Sequence, residues 1–167
     1  MASWNITSTD DWADIRFYKN KTVSDLLKNY HFESNGYRFK VIAKTDVDGA
    51  SIPRPLMMFF GDKFATENLF AAIAHDAAYT CDIMIMDDHG NWTPVYVQSY
   101  QADALFRNLR DFSGGWKIAN WPMWVGIRLN TTLIEQVRKW RGKNKAYPSF
   151  SEFKAMHPKG VLLPFPV

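Results

Sequence analysis

With 167 residues, 47% of them hydrophobic and 16% aromatic, the chain is long enough for one well-buried core and too short for two, so we expect a single domain over residues 1–167. Its one cysteine, Cys81, excludes an internal disulfide framework, and no run approaches the roughly 20 apolar residues that span a bilayer. The net charge of +3 is uneven: residues 1–106 hold 9 Lys and Arg against 14 Asp and Glu, whereas residues 107–167 hold 11 against 3 and could face phosphates or anionic lipid.

The amino-terminal residues predict one short helix and no signal peptide. Its first eleven residues lack the basic start and apolar stretch of a signal peptide, so we expect an intracellular or virion-borne protein. Four apolar residues then recur at a rough helical spacing, and they predict a short helix: Val23, Leu26, Leu27 and Tyr30.

Two hairpins are predicted from turn residues that lie between apolar runs. Residues 30–43 place Asn35-Gly36 between two aromatic and β-branched runs, which is a strong short-range hairpin signal. The Asp, Gly and Pro content of residues 44–55 predicts an ordered loop after this hairpin. Residues 83–97 place an Asp-rich turn between two short apolar runs and predict a second hairpin.

Apolar residues at three- and four-residue steps predict three helices. The first spans residues 66–80 with Thr66 as its cap, the second spans residues 98–114, and the third spans residues 122–142. Together, the elements predict an α+β fold that is mostly helical, with two antiparallel core helices and a β-hairpin near the amino end. A C-terminal helix region at 116–141 and an extended tail at 142–167 would complete it.

The first two helices carry the candidate chemistry. His75 and Tyr79 are four residues apart and share a helix face, while Asp76 points about 100° round. An antiparallel second helix would bring Asp103 to the histidine. His75 is then a candidate general base towards water, and Asp103 is the acceptor that fixes its tautomer.

A hard cation is the candidate cofactor of this site. Asp76 could bind it, and the loop upstream offers Asp46, Asp48 and backbone carbonyls as further oxygen ligands. The alternative is structural: a His-Asp pair on a helix is commonly a satisfied polar pair, and an Asp-rich segment with proline is commonly a turn.

Three segments together resemble the catalytic core of phospholipase A2, in particular the bacterial and parvoviral-capsid type. The resemblance covers residues 45–110 and implies a lipid esterase. Its order is a Thr-Asp loop, a small-residue helix with His-Asp-x-x-Tyr, and a helix with Asp-x-x-Phe. These segments are Thr45-Asp46, Ala71–Tyr79 and Ala102–Phe106.

The phospholipase resemblance also assigns roles to single residues. It implies that His75 activates the water that attacks the lipid ester and that Asp103 orients His75. It further implies that Asp76, with Asp46, holds calcium, which would polarise the carbonyl. The family's glycine-rich calcium loop is absent from this chain, which leaves open whether Asp46 or Asp48 is the better ligand.

A second resemblance is to the phage and bacterial family known as domain of unknown function 1353. It implies a phage or prophage origin and does not indicate which activity, if any, the protein has. With no signal peptide, we expect the protein in the host cytoplasm or the virion. The segments that carry the resemblance are Asp48–Arg54, Ala74–Tyr79 and Ala102–Phe106.

Two functions follow as hypotheses. The first is a phage-type, calcium-dependent hydrolase of a lipid ester that acts on anionic phospholipid. The alternative is a non-catalytic phage protein, either a virion component or an inhibitor of a host defence, that binds a protein partner. The tryptophan-rich basic half, residues 107–167, suits an anionic membrane or nucleic acid, or else its tryptophans belong to the core.

Overall fold

The computed structural model describes residues 4–16, 24–47, 66–114 and 147–165. Within these ranges, nine strands form two sheets and three helices accompany them. No helix within these ranges is both long enough and apolar enough to cross a membrane. The elements are β1 (Ile6–Thr9), β2 (Ile15–Arg16), β3 (Ser24–Leu26), β4 (Tyr30–Ser34), β5 (Tyr37–Val41), β6 (Asp46–Val47), α1 (Thr66–Thr80), β7 (Ile83–Met86), β8 (Trp92–Tyr96), α2 (Ser99–Phe112), α3 (Phe150–Met156) and β9 (Val161–Leu162).

The larger sheet has the strand order β1-β4-β5-β7-β8-β9, and all its neighbours are antiparallel except the parallel pair β8 and β9. The smaller sheet is antiparallel with the order β2-β3-β6. Asn35 and Gly36 turn the chain between β4 and β5 with φ of 53° and 80°, the left-handed conformations of a two-residue hairpin turn. Both predicted hairpins, β4-β5 and β7-β8, are confirmed.

The predicted predominance of helix is wrong. The described ranges hold nine strands against three helices, and all nine strands are two to five residues long, too short to produce a clear periodic signal. The short helix predicted from the spacing of Val23 to Tyr30 is also wrong where the structure describes it. Ser24 and Leu26 are buried on either side of half-buried Asp25, the two-residue alternation of a strand.

The predicted extended tail at 142–167 is wrong for residues 147–165, which contain α3 and β9. A capping box begins α3: Ser149 Oγ accepts from the Glu152 N–H, and the Glu152 carboxylate accepts from the Ser149 N–H at 2.7 Å. Pro148 and Pro158 flank this helix and do not interrupt it, so proline content misled the prediction. The predicted helix at 122–142 lies outside the described residues.

Small side chains let α1 approach its neighbours closely. Its buried face holds five alanines that leave room for α2 on one side and the sheet on the other, and aromatic residues of β4 and β5 complete the core. This packing brings polar side chains of α1 and α2 within hydrogen-bond distance. The alanines are Ala71, Ala72, Ala74, Ala77 and Ala78.

Candidate functional site

Two polar pairs join α1 to α2. His75 Nε2 lies 3.2 Å from Asp103 Oδ1, and Arg110 Nε donates to Asn68 Oδ1 at 2.7 Å. Because residue numbers rise along α1 while those of their partners fall along α2, the two helices run antiparallel. The structure therefore brings His75 and Asp103 together.

The imidazole of His75 lies between two carboxylates. Asp103 has no exposed surface, whereas the side chains of His75 and Asp76 are 16% and 17% exposed. His75 Nδ1 is 3.7 Å from Asp76 Oδ1, which is an ion-pair distance and too long for a hydrogen bond. One ring nitrogen therefore pairs with Asp103 at 3.2 Å, and the other lies at 3.7 Å from Asp76.

Charge decides the protonation state of His75. Burial by itself would lower the pKa of His75, but the interactions with Asp103 and then Asp76 favour the imidazolium more strongly and raise that pKa to about 9. The ring is therefore mainly protonated at neutral pH. It can donate a proton there, and it becomes a base as the pH approaches 9.

Aromatic rings fix the position of His75. The ring of Tyr79 lies 5.0 Å from the imidazole between centroids, and Phe106 meets the imidazole edge-on at 5.7 Å. Tyr147 in turn packs edge-on against Tyr79 at 4.6 Å. The four-residue spacing of His75 and Tyr79 revealed their shared face, but no sequence signal pointed to Tyr147, which lies in the predicted tail.

The predicted cation ligands are only partly described. Asp46 is exposed on β6, and Asp48 lies outside the described residues. Within 4–16, 24–47, 66–114 and 147–165, no group of three or more His, Cys, Asp and Glu side chains is arranged to hold a metal ion. Calcium takes six to eight oxygen ligands, so a site at Asp76 and Asp46 would need further oxygen atoms, such as backbone carbonyls.

The second polar pair was missed by sequence reasoning. Asn68 is fully buried and Arg110 is 3% exposed, so both belong to the helix interface. Asn68 lies seven residues before His75, and Arg110 lies seven residues after Asp103. Two helical turns separate the pairs on each helix, and this repeated spacing was the signal that could have found the second pair.

A family model described as Protein of unknown function (DUF1353) matches residues 24–127. No curated protein and no solved structure matches the chain. The matched range contains the candidate site on α1 and α2, together with Asp46 and Asp48, and ends before Tyr147.

Proposed function

The chain belongs to the family described as Protein of unknown function (DUF1353), and we propose that it is a hydrolase in which His75 transfers protons and Asp103 orients its ring. The observation that carries the proposal is the 3.2 Å contact between His75 Nε2 and a carboxylate with no exposed surface. Burying an ionisable group is costly unless it is paired or used, and His75 is held between the buried Asp103 at 3.2 Å and Asp76 at 3.7 Å.

The proposed reaction is ester hydrolysis. Nδ1 of neutral His75 accepts a proton from a water whose oxygen attacks the ester carbonyl carbon, while Asp103 stabilises the imidazolium through Nε2–H. The tetrahedral intermediate then loses its alkoxide, which takes the proton from Nδ1. The products are a carboxylic acid and an alcohol, and His75 returns to its neutral form.

A phospholipid ester is the proposed substrate. Support comes from the sequence resemblance to phospholipase A2 around His75 and Asp103, and from the basic composition of residues 107–167, which suits an anionic surface. Calcium is tested as a variable of the assay, and no step of the proposed reaction depends on it.

The experiment is fatty-acid release from anionic phospholipid vesicles, measured with calcium and with a chelator. We expect the native chain to release fatty acid and H75N to lose about 10²- to 10⁴-fold in rate, the usual contribution of a general base. The matched control is H31N, which alters a more exposed histidine paired with Asp10 and should retain the native rate. No release by the native chain, or equal release by H75N, would sink the proposal.

The pH dependence of that rate is a second test of the role of His75. Because its pKa is raised to about 9, the neutral base is scarce at pH 7 and increases about tenfold for each pH unit. The rate should therefore climb from neutral pH and level off above about pH 9. A rate that is already level at pH 7 would contradict the assignment of His75 as the base.

A second candidate function is a non-catalytic phage protein that binds a protein partner. It is favoured by the imidazolium at neutral pH, whose two nitrogens both face carboxylates and form a buried charge network between helices. Met156 and Leu162 are 54% and 52% exposed, which gives the C-terminal segment apolar side chains for a partner.

This second candidate makes a distinct prediction. H75N should lower the melting temperature, while neither the native chain nor the variant hydrolyses ester. A specific protein captured from infected cells by the native chain should be lost with M156D or L162D. Vesicle hydrolysis that depends on His75, together with no captured protein, would exclude this candidate.

A further inference from the structure

Residues 147–165 are attached to the end of β8 by two reciprocal hydrogen bonds. The Tyr96 hydroxyl donates to the carbonyl oxygen of Pro148 at 2.8 Å, and the Tyr147 hydroxyl donates to the carbonyl oxygen of Val97. Val97 immediately precedes the capping residue of α2, the helix that carries Asp103. The C-terminal segment is thus tied to the start of a helix that forms the site.

Packing holds the same segment in place further along. Phe153 of α3 is fully buried and lies 5.4 Å from the ring of Tyr96. Gly160 packs against the Phe153 ring, and an added Cβ would stand 2.4 Å from that ring, so any larger residue there would force the buried ring to move. Tyr147 therefore projects from an anchored segment rather than from a loose tail.

A continuous row of rings leads from this segment to the site. Tyr147 meets Tyr79 at 4.6 Å with an interplanar angle of 76°, and Tyr79 lies 5.0 Å from His75. Burial, with smaller contributions from neighbours that include Asp103, raises the pKa of Tyr147 well above its usual value. Tyr147 is therefore neutral, and its hydroxyl donates to the Val97 carbonyl.

We propose that Tyr147 is a positioning residue for His75, and that the site is completed by a segment outside the range that the family model matches. The hydroxyl of Tyr147 fixes its ring on Val97, and the ring fixes Tyr79 against the imidazole. His75 is held in one orientation because Asp103 binds its Nε2, while the ring of Tyr79 limits rotation of the imidazole plane. The expected effect of Tyr147 on kcat rests on the proposed hydrolase function, whereas its expected effect on the orientation of His75 does not.

The test compares three variants of the full chain. Y147A removes the ring, Y147F removes only the hydroxyl that binds the Val97 carbonyl, and Y100F is the matched control on an exposed tyrosine of α2. The readout is the ¹H–¹³C NMR signal of the His75 imidazole, assigned by its absence in H75N, with circular dichroism and melting temperature to establish that each variant is folded.

We expect the His75 signal to move most in Y147A, to a smaller extent in Y147F, and not at all in Y100F. If the chain hydrolyses ester, kcat should fall about tenfold in Y147A with KM changed less, as misplacement of a catalytic group predicts. If Y147A does not fold, Y147F carries the test. A His75 signal in folded Y147F that matches Y100F would overturn the proposal.

The two proposals fail separately in these experiments. A native chain without esterase activity removes the hydrolase proposal, while a shifted His75 signal in the Tyr147 variants would still support positioning by Tyr147. Conversely, native activity with unshifted signals and unchanged kcat in the Tyr147 variants would remove only the positioning role.

Discussion

Two histidine–aspartate pairs of this protein have nearly the same contact distance and very different surroundings. His75 Nε2 is 3.2 Å from Asp103, and His31 Nδ1 is 3.0 Å from Asp10. The side chains of His31 and Asp10 are 39% and 37% exposed, whereas Asp103 has no exposed surface. Distance alone does not distinguish a surface contact from a candidate site; the loss of water around one partner does.

The elements that carry the pairs explain this difference. His31 lies on β4, and the Asp10 carboxylate that meets its ring also accepts the His31 backbone N–H at 2.8 Å, so this aspartate serves the local strand connection. His75 and Asp103 lie in the contact between two helices, where small side chains exclude water. A substitution at the buried pair, His75 and Asp103, can therefore be compared with the same substitution at the exposed pair, His31 and Asp10.

The largest expected effect on stability comes from removing the buried carboxylate. D103A removes the buried carboxylate that pairs with the His75 imidazolium, and we expect the free energy of unfolding to fall by about 3–5 kcal/mol. D10A should cost roughly 1 kcal/mol or less, because its pair is exposed and screened. Urea unfolding of both variants at pH 7 measures the two losses, and equal losses would break the distinction between the pairs.

The next effect is a dependence of stability on pH. The pKa of His75 rises from 6.5 in the unfolded chain to about 9 in the folded protein, so folding favours the protonated form. Its contribution, on the order of 3 kcal/mol, is fully present below pH 6.5 and is lost as the pH rises to about 9.

Unfolding experiments across this pH range can isolate the contribution of His75. The native chain should lose stability between pH 6.5 and 9 relative to H75N, which lacks the titrating group. Parallel curves for the native chain and H75N would show that folding does not favour protonated His75.

The smallest effect concerns the second polar pair in the same helix contact. N68A removes the oxygen that accepts from Arg110 Nε and weakens the bonding of a buried guanidinium, which should cost about 1–3 kcal/mol. Chemical unfolding of N68A beside D103A compares the two pairs directly. A loss as small as that of D10A would mean that burial does not set the energetic ranking of these contacts.

The sequence was most informative where periodicity or turn chemistry was strong. The Asn35-Gly36 turn predicted its hairpin, and the apolar spacing placed α1 and α2 close to their observed bounds. With α1 and α2 assumed to be antiparallel, these bounds were enough to predict the contact between His75 and Asp103. The shorter strands β2, β3, β6 and β9 escaped prediction because two or three residues carry no readable period.

Other features depended on contacts that no local pattern encodes. Tyr147 reaches the site only because α3 and Pro148 are anchored on β8 through Tyr96, and these partners are distant in sequence. The raised pKa of His75 likewise needed the burial of Asp103 and the distance to Asp76, neither of which spacing provides. The capping box at Ser149, by contrast, was readable in the sequence and was overlooked.

The central claim is that a buried aspartate holds His75 as an oriented, protonatable group. An NMR titration of the His75 imidazole in the native chain, D103N and D10N tests it most directly. We expect a midpoint near pH 9 in the native chain and in D10N, and a clearly lower midpoint in D103N. A native midpoint near the ordinary value of 6.5, or one that D103N leaves unchanged, would contradict it.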